Sequence, residues 1–395
     1  MKKLLLFFLL ISIVSISKAQ WTPLNSGTTY DLRSVCFTDT STGYVVGAGG
    51  LILKTTNGGT TWTPKTSGTT DILMDVFFAT TGTGYIVGTD SNGFHGVILK
   101  TFDGGATWAS QPSGANYSLL SVFFTDMNIG YAVGNGGTIL NTTDGGLNWT
   151  SQNSGTLNFL SSVYFTNADT GYIAGDGGII LKTTNGGTNW TALNTGITFS
   201  LLSLYFTDAD TGFAGGSALI LKTTDAGATW TLKNMLNSYD VEDIYFANPD
   251  TGYALFWNGV IAKTYDGCTN WVVQNPIASS SLNAIYFVKP DVGYIVGNDG
   301  IILKTLNGGE TTSITETQRE KDYIQISPNP VRNTLSIENV KKAAIEILNL
   351  KGQSMKAVNS AEDKISVDVS SLRGGMYLLK IKTEKETFVK IFVKE

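Results

Sequence analysis

The sequence predicts an all-β chain: a seven-bladed β-propeller followed by a small immunoglobulin-like β-sandwich. Three observations carry this reading. A turn string returns about every 41 residues, four short strand-like runs fill each period, and an orphan strand near the start matches the end of the repeat. The 395 residues include 45 Gly without a collagen period, and 11% aromatics argue against disorder.

The turn string first appears as Thr56-Asn57-Gly58-Gly59-Thr60-Thr61-Trp62. It returns with its Trp at 108, 149, 190, 230 and 271, in steps of 46, 41, 41, 40 and 41 residues. After a further 41, TLNGGETT ends at Thr312 without the Trp. A second signal alternates with it, from Gly43-Tyr44 to Gly293-Tyr294, with Gly212-Phe213 the one departure. In the first period SVCFTD, TGYVVG, LILKTT and WTPKTS are rich in Val, Ile, Thr and aromatics and bounded by Gly, Asn, Asp or Ser. These are strand features, and four such strands make one propeller blade. The Asx-Gly-Gly tip suits a tight turn, with a side-chain oxygen accepting local N–H groups and Gly supplying positive φ. The Trp that follows is placed to bury its ring between blades.

Closure follows by counting. Trp21-Thr22-Pro23-Leu24-Asn25-Ser26-Gly27 matches the WTPKTSG at Trp62 and stands 41 residues before it. An open stack of sheets would expose edges, so this strand is expected to complete the seventh blade.

Here the repeat resembles a known family. The S/T-x-D-x-G-x-x-W type of turn resembles the Asp-box (BNR) repeat of sialidases, sortilin-type receptors and xyloglucan-cleaving propellers. The whole unit, GY-x-VG-x-x-G-x-I-x-KT-x-D-GG-x-x-W, is most similar to the photosystem II assembly and stability factor family over residues 21–312. The resemblance implies the fold, and it implies that the boxes are structural and lie away from the active face.

The ends of the chain give its address. Residues 1–19 read as a signal peptide: Lys2 and Lys3, an apolar run from Leu4 to Val14, then Ser17 and Ala19 before a cut that would leave Gln20 first. No later run is long and apolar enough to span a bilayer as a helix. The propeller occupies 20–312, a polar linker 313–322, and a strand-rich unit 323–395. Of the 27 basic residues 14 lie after Thr312, whereas 21–312 holds 10 basic against 21 acidic. Ser327-Pro328-Asn329-Pro330, Leu350-Lys351-Gly352-Gln353, Ser371 to Tyr377 (SLRGGMY) and the terminal KIFVKE resemble the C-terminal sorting domain of the type IX secretion system. The resemblance implies the secretion machinery as a partner, outer-membrane passage, and a secreted or outer-surface location.

Composition removes several chemistries. A net charge of −5 offers no electrostatic footing for nucleic acid. One His and two Cys give no Cys/His metal cluster, and no calcium string is present, so neither cofactor nor metal is expected. Cys36 and Cys268 are expected to be reduced fillers, separated by the last blade. His95 stands in an insertion, Thr89 to Gly96, in blade 2.

Propeller ligands bind on the face made by the turns that enter each innermost strand and the turns between the second and third strands. On it the repeat departs from its small residues at Tyr30, Asp31 and Arg33 in blade 1, Asp71 and Asp75 in blade 2, Tyr117 in blade 3 and Asn158 in blade 4. Blade 6 adds Tyr239, Asp240, Glu242, Asp243 and the inner turn Phe256-Trp257-Asn258; Asp176 and Asp299 stand in inner turns of blades 4 and 7. Tyr30, Asp31, Arg33, Tyr239, Glu242, Asp243 and Trp257 are the candidate ligand-binding set, since flat rings and carboxylates suit a sugar or a protein side chain. The expected function is a non-catalytic binding or scaffold module. The enzymatic alternative is a glycoside hydrolase that pairs Asp71 or Asp75 with Asp240 or Asp243 at about 5 to 9 Å. A sialidase is excluded, because the resemblance implies an arginine triad and Arg33 is the propeller's one arginine.

Overall fold

The computed structural model describes residues 21–233, 239–274, 280–310, 325–338, 340, 342–349, 353–383 and 387–395. The signal segment 1–19, the linker 313–322 and Leu350 to Gly352 lie outside the described residues. The chain divides into two compact units, Met1–Thr312 and Ser313–Glu395.

The first unit is a ring of seven four-stranded antiparallel sheets. Blade 1 runs outward through Leu32–Phe37, Gly43–Gly47, Ile52–Thr55 and Thr63–Lys65. Blade 7 takes three strands from Leu282–Lys289, Val292–Gly297 and Ile302–Thr305, and its outermost strand is Thr22–Leu24. Thr22 pairs with Lys304 and Leu24 with Ile302, so the first described strand closes the ring as the count predicts.

Aromatic packing explains why the strand docks there. In each seam a ring of one blade stacks on a Phe of the next, and in every seam but that of blades 5 and 6 a Trp meets that Phe edge-on. Tyr294 stacks on Phe37 at 3.9 Å, with Trp62 at 6.1 Å from Phe37. The box of blade 7 has no Trp, and Trp21 fills its place, fully buried, 6.0 Å from Phe287 and 6.4 Å from Tyr253. Such an aromatic brings a large apolar area to the seam and an edge-to-face preference beyond it.

A polar latch accompanies each seam on the box side. Tyr44 Oη and Lys54 Nζ both donate to Gly104 O of the next blade at 2.6 Å. Tyr294 and Lys304 do the same to Gly58 O at 2.9 and 2.6 Å, across the closing seam. The recurring Gly-Tyr, Lys-Thr and Asx-Gly-Gly signals are therefore one device. Two seams vary: Asn141 stands in for the Lys in blade 3, and Phe213 for the Tyr in blade 5, where Lys222 reaches Gly267 O at only 3.4 Å.

Each box is self-sufficient. Asp103 Oδ1 accepts the Ala106 and Thr107 N–H groups, both at 2.9 Å, and Oδ2 accepts Thr107 Oγ1 at 2.6 Å. Gly104 and Gly105 take φ of 65° and 72°, which glycine adopts without strain. Those donors, Thr107 first, hold the Asp103 carboxyl well below the usual carboxylate range.

The second unit has two antiparallel sheets. One holds Gln325–Ser327, Thr334–Glu338 and Lys364–Asp368. The other holds, in spatial order, Ser354–Ser360, Ala343–Leu348, Gly375–Lys382 and Thr387–Lys394. Both contribute to one core that includes Leu335, Ile337, Ile345, Val367, Leu379 and Phe392. Two of the sequence signals meet there: Val331 N donates to Val393 O at 2.8 Å, and Glu395 N to Val331 O at 3.0 Å. Asn329 Oδ1 also accepts Val393 N at 2.8 Å, so the SPNP segment fastens the terminal strand.

Candidate functional site

The two faces of the ring are distinct. Gly50 N of the inner turn donates to Asp71 O of the turn entering blade 2, at 2.6 Å, which ties both kinds of turn to one face, the entry face. Gly58 N of a box donates to Ser41 O at 2.8 Å on the other, the box face.

The channel is built from the innermost strands. In every blade a bulge lies near the start of the ladder, as between Leu32 and Ser34 or Leu73 and Asp75, which re-aims the next side chains toward the axis. At the mouth Arg33 pairs with Asp31 at 3.2 Å and also acts electrostatically on Glu242, two blades away. Burial, first, and the neighbouring Asp240 raise the Glu242 pKa, while Arg33 pulls it down.

One step deeper is a ring of inter-blade hydrogen bonds. The bulge leaves one N–H per blade free of the ladder, and a side chain of the preceding blade accepts it. Ser121 Oγ takes Val163 N at 3.4 Å, and Ser162 Oγ takes Leu204 N at 3.1 Å. Asp75 and Asp243 occupy the same position. Asp75 accepts Ser34 Oγ (2.8 Å), Val76 N (2.9 Å) and Val122 N (2.9 Å). Asp243 accepts Ser203 Oγ (2.7 Å), Ile244 N (2.9 Å) and Ile285 N (2.9 Å). Blade 7 has Ala284 there, and Asn283 Nδ2 instead donates to Leu32 O at 2.7 Å. Some area of both aspartates faces the channel, yet protein surrounds them. Burial, as the first cause, raises both carboxyls, and Asp243 reaches about 6, with the charge of Asp75 adding to the rise.

Toward the box face six rings line the axis: Phe77, Phe123, Tyr164, Tyr205, Tyr245 and Tyr286. Successive centroids from Phe77 to Tyr245 lie 5.2, 5.4, 5.5 and 5.1 Å apart. Tyr286 Oη is tied to Phe37 O at 2.9 Å. Cys36 holds the seventh position; burial pushes its thiol, and that of Cys268, up to about 12, so neither is a thiolate nucleophile. Both cysteines are free and buried.

The candidate residues fall into three groups. Asp31, Arg33, Asp240, Glu242 and Asp299 gather at the mouth over blades 6, 7 and 1, where Asp299 N donates to Asp31 Oδ1 at 3.3 Å. Trp257 is anchored beside them by its N–H to Asp240 O at 3.0 Å, and its ring is 59% exposed. Asp75 and Asp243 lie deeper, engaged by blade contacts. Tyr30, Tyr117 and Asn158 lie over the inner turns: a Cβ on Gly49 would stand 3.3 Å from the Tyr30 ring, and one on Gly136 only 2.9 Å from Tyr117. Asn158 Nδ2 donates to Asp176 O at 2.9 Å. Asp71 Oδ1 accepts Ser91 N at 2.9 Å from the blade 2 insertion, where His95 Nδ1 lies 3.1 Å from Asp90. Among the described residues no group of three or more His, Cys, Asp and Glu is placed to hold a metal ion.

Sequence reasoning passed over Phe94, Leu157, Phe159 and Phe199. All four are exposed, in entry turns or the inner turn of blade 2. The signal was present, since each is a large apolar residue in a turn built from Gly, Ser, Thr and Asn. Two shallow clefts of about 320 and 340 Å³ lie at blades 7 and 3, beside Asn25 and Asn153; Asp299 lines the first and Tyr117 the second.

Comparison with known proteins agrees with this architecture. Residues 66–151 and 113–196 match the family described as photosynthesis system II assembly factor YCF48. Residues 325–395 match the secretion system C-terminal sorting domain. No curated protein matches the sequence. A solved structure of YCF48 bound to D1 peptide is similar with a TM-score of 0.63 and 22% identity, covering 73% of this chain and 97% of that one. YCF48 from Cyanidioschyzon merolae gives 0.61 and 20%, covering 72% and 98%. At such identities the structures speak for the fold. The chain thus joins an Asp-box propeller similar to the photosystem II assembly factor family to a secretion system C-terminal sorting domain.

Proposed function

We propose that the protein is exported and works at or beyond the outer cell surface as a non-catalytic binding module, its ligand seated on the entry face around the channel mouth. One observation carries the reading: the carboxylates deepest in the channel are each held by three donors, below a mouth ringed with exposed aromatic and acidic side chains. The site offers contact surface rather than a positioned acid and base. A similar propeller is bound to a peptide, which favours a polypeptide ligand over a glycan. The signal peptide would direct inner-membrane export, with cleavage after Ala19, and residues 323–395 would engage the type IX machinery. N-terminal sequencing of the exported protein should begin at Gln20, and removal of 323–395 should hold it inside the outer membrane.

The hydrolase reading has one observation in its favour, the Asp243 carboxyl raised to about 6 within electrostatic reach of Asp75. Reducing-sugar release from polysaccharides that vanishes in Asp75→Asn and Asp243→Asn would establish it. The binding reading expects no release, together with loss of ligand in Trp257→Ala.

A further inference from the structure

We infer that the entry face is a collar for a basic, apolar-rich polypeptide: large exposed side chains from blades 1 to 6 grip it, and an acidic mouth reads its lysines or arginines. The inference rests on the binding-module reading and names the partner's chemistry.

The collar is regular. Tyr30, Tyr117, Phe199 and Tyr239 occupy one repeat position, the residue before the last of the entry turn, in blades 1, 3, 5 and 6. All four are exposed. Leu157 (85% exposed) and Phe159 flank the same position in blade 4, and Phe94 projects from the inner turn of blade 2. Blade 6 adds Trp257. Apolar groups distributed around a rim, rather than gathered in one enclosed cavity, suit a macromolecular partner better than a single sugar. Aromatic enrichment with scarce lysine is also how the centre of a protein interface is composed.

Charge selects the occupant. Among the described turns and mouth residues of this face Arg33 is the one arginine or lysine, and it already faces Asp31 and Glu242. Asp71, Asp176, Asp240 and Asp299 add to the negative potential. Five of the propeller's nine lysines, Lys54, Lys100, Lys182, Lys263 and Lys304, donate to box carbonyls of the opposite face. On that face the exposed Phe102 and Tyr265 already lie under Lys100 and Lys263, at 4.0 and 4.7 Å from their ammonium groups. Apart from Arg33 beside Asp31 and Glu242, no lysine or arginine of the described residues lies over Tyr30, Tyr117, Phe199 or Trp257, and an incoming ammonium or guanidinium group would complement these rings and the acidic mouth.

The test uses the full chain and two short labelled peptides of equal apolar content, tryptophan and leucine alternating with lysine in one and with glutamate in the other. Binding is followed by fluorescence anisotropy at low and physiological ionic strength. The lysine peptide should bind at least about tenfold tighter than its twin, and less tightly as salt rises. Phe159→Ser with Phe199→Ser, and separately Trp257→Ala, should each weaken it about tenfold. Asp240→Asn with Glu242→Gln should weaken it and flatten the salt dependence. Leu306→Ser, an exposed box-face change, should do nothing, and unchanged melting would show that every variant is folded. Equal binding of both peptides, indifference to the entry-face variants, or no binding overturns the inference. If the glutamate peptide or a soluble polysaccharide binds instead, and Trp257→Ala abolishes that, the face remains the binding site and only the basic partner is wrong. If no probe responds to any entry-face variant, both readings fall.

Discussion

Ser34 Oγ donates to Asp75 Oδ1 at 2.8 Å while Asp75 Oδ2 accepts Val122 N at 2.9 Å, so one carboxylate fastens blades 1, 2 and 3 around the channel. Asp75→Ala strands a buried N–H and a hydroxyl and should cost about 1–3 kcal/mol of stability. Asp75→Ser, the residue of blades 1, 3, 4 and 5, should recover much of it. Thermal unfolding of the two variants beside the parent decides; an alanine variant as stable as the parent would refute the latch.

The pH dependence separates channel from boxes. The Asp243 carboxyl is raised from 3.8 to about 6, so the folded protein binds that proton more tightly than the unfolded chain. Its contribution is therefore full below about pH 4 and is lost as pH rises through about 6, a change on the order of 2–3 kcal/mol. Asp144, in a box, is lowered to about 2 by its bonds to Asn148 and Thr142, so its contribution is present above about pH 4 and is lost as pH falls toward 2. Denaturant titrations between pH 4 and 6 should show a downward slope that Asp243→Asn reduces, the raised Asp75 and Glu242 carboxyls keeping the remainder, while acid unfolding below pH 4 persists.

At the seams, Tyr44→Phe removes the 2.6 Å bond to Gly104 O and should cost about 1 kcal/mol. The reverse change is available in blade 5: Phe213→Tyr should add the hydroxyl that this seam lacks and gain about 0.5–1 kcal/mol. Urea midpoints moving in opposite directions would support the latch; movement in the same direction would not.

Trp257→Ala should leave unfolding within about 0.5 kcal/mol of the parent, because its ring is largely exposed. Ligand capture should fall all the same. A variant that unfolds early would mean that the ring packs rather than binds.

The architecture was legible because the repeat states each contact seven times. Trp21 could be assigned from its spacing alone, and the structure puts its ring where the missing box Trp belongs. The channel was less legible. Asp75 and Asp243 look in sequence like free carboxylates near the mouth; only the bulge, which opens a ladder N–H to the neighbouring blade, turns them into fasteners. Phe159 and Phe199 were overlooked for a different reason: Phe199 shares the repeat position of Tyr30, Tyr117 and Tyr239, but an apolar residue in a turn does not by itself tell exposure from packing. Arg33 shows the same limit, because its neighbour Glu242 belongs to a blade more than 200 residues away.

Ring closure rests on Trp21 and the strand that follows it, which pairs with blade 7. The direct measurement is differential scanning calorimetry of the exported protein with and without Trp21 to Gly27. Loss of the buried indole alone should remove about 3–5 kcal/mol, so the shortened protein should unfold at a clearly lower temperature. A shortened protein that melts at the parent's temperature would contradict the closed ring and everything placed upon it.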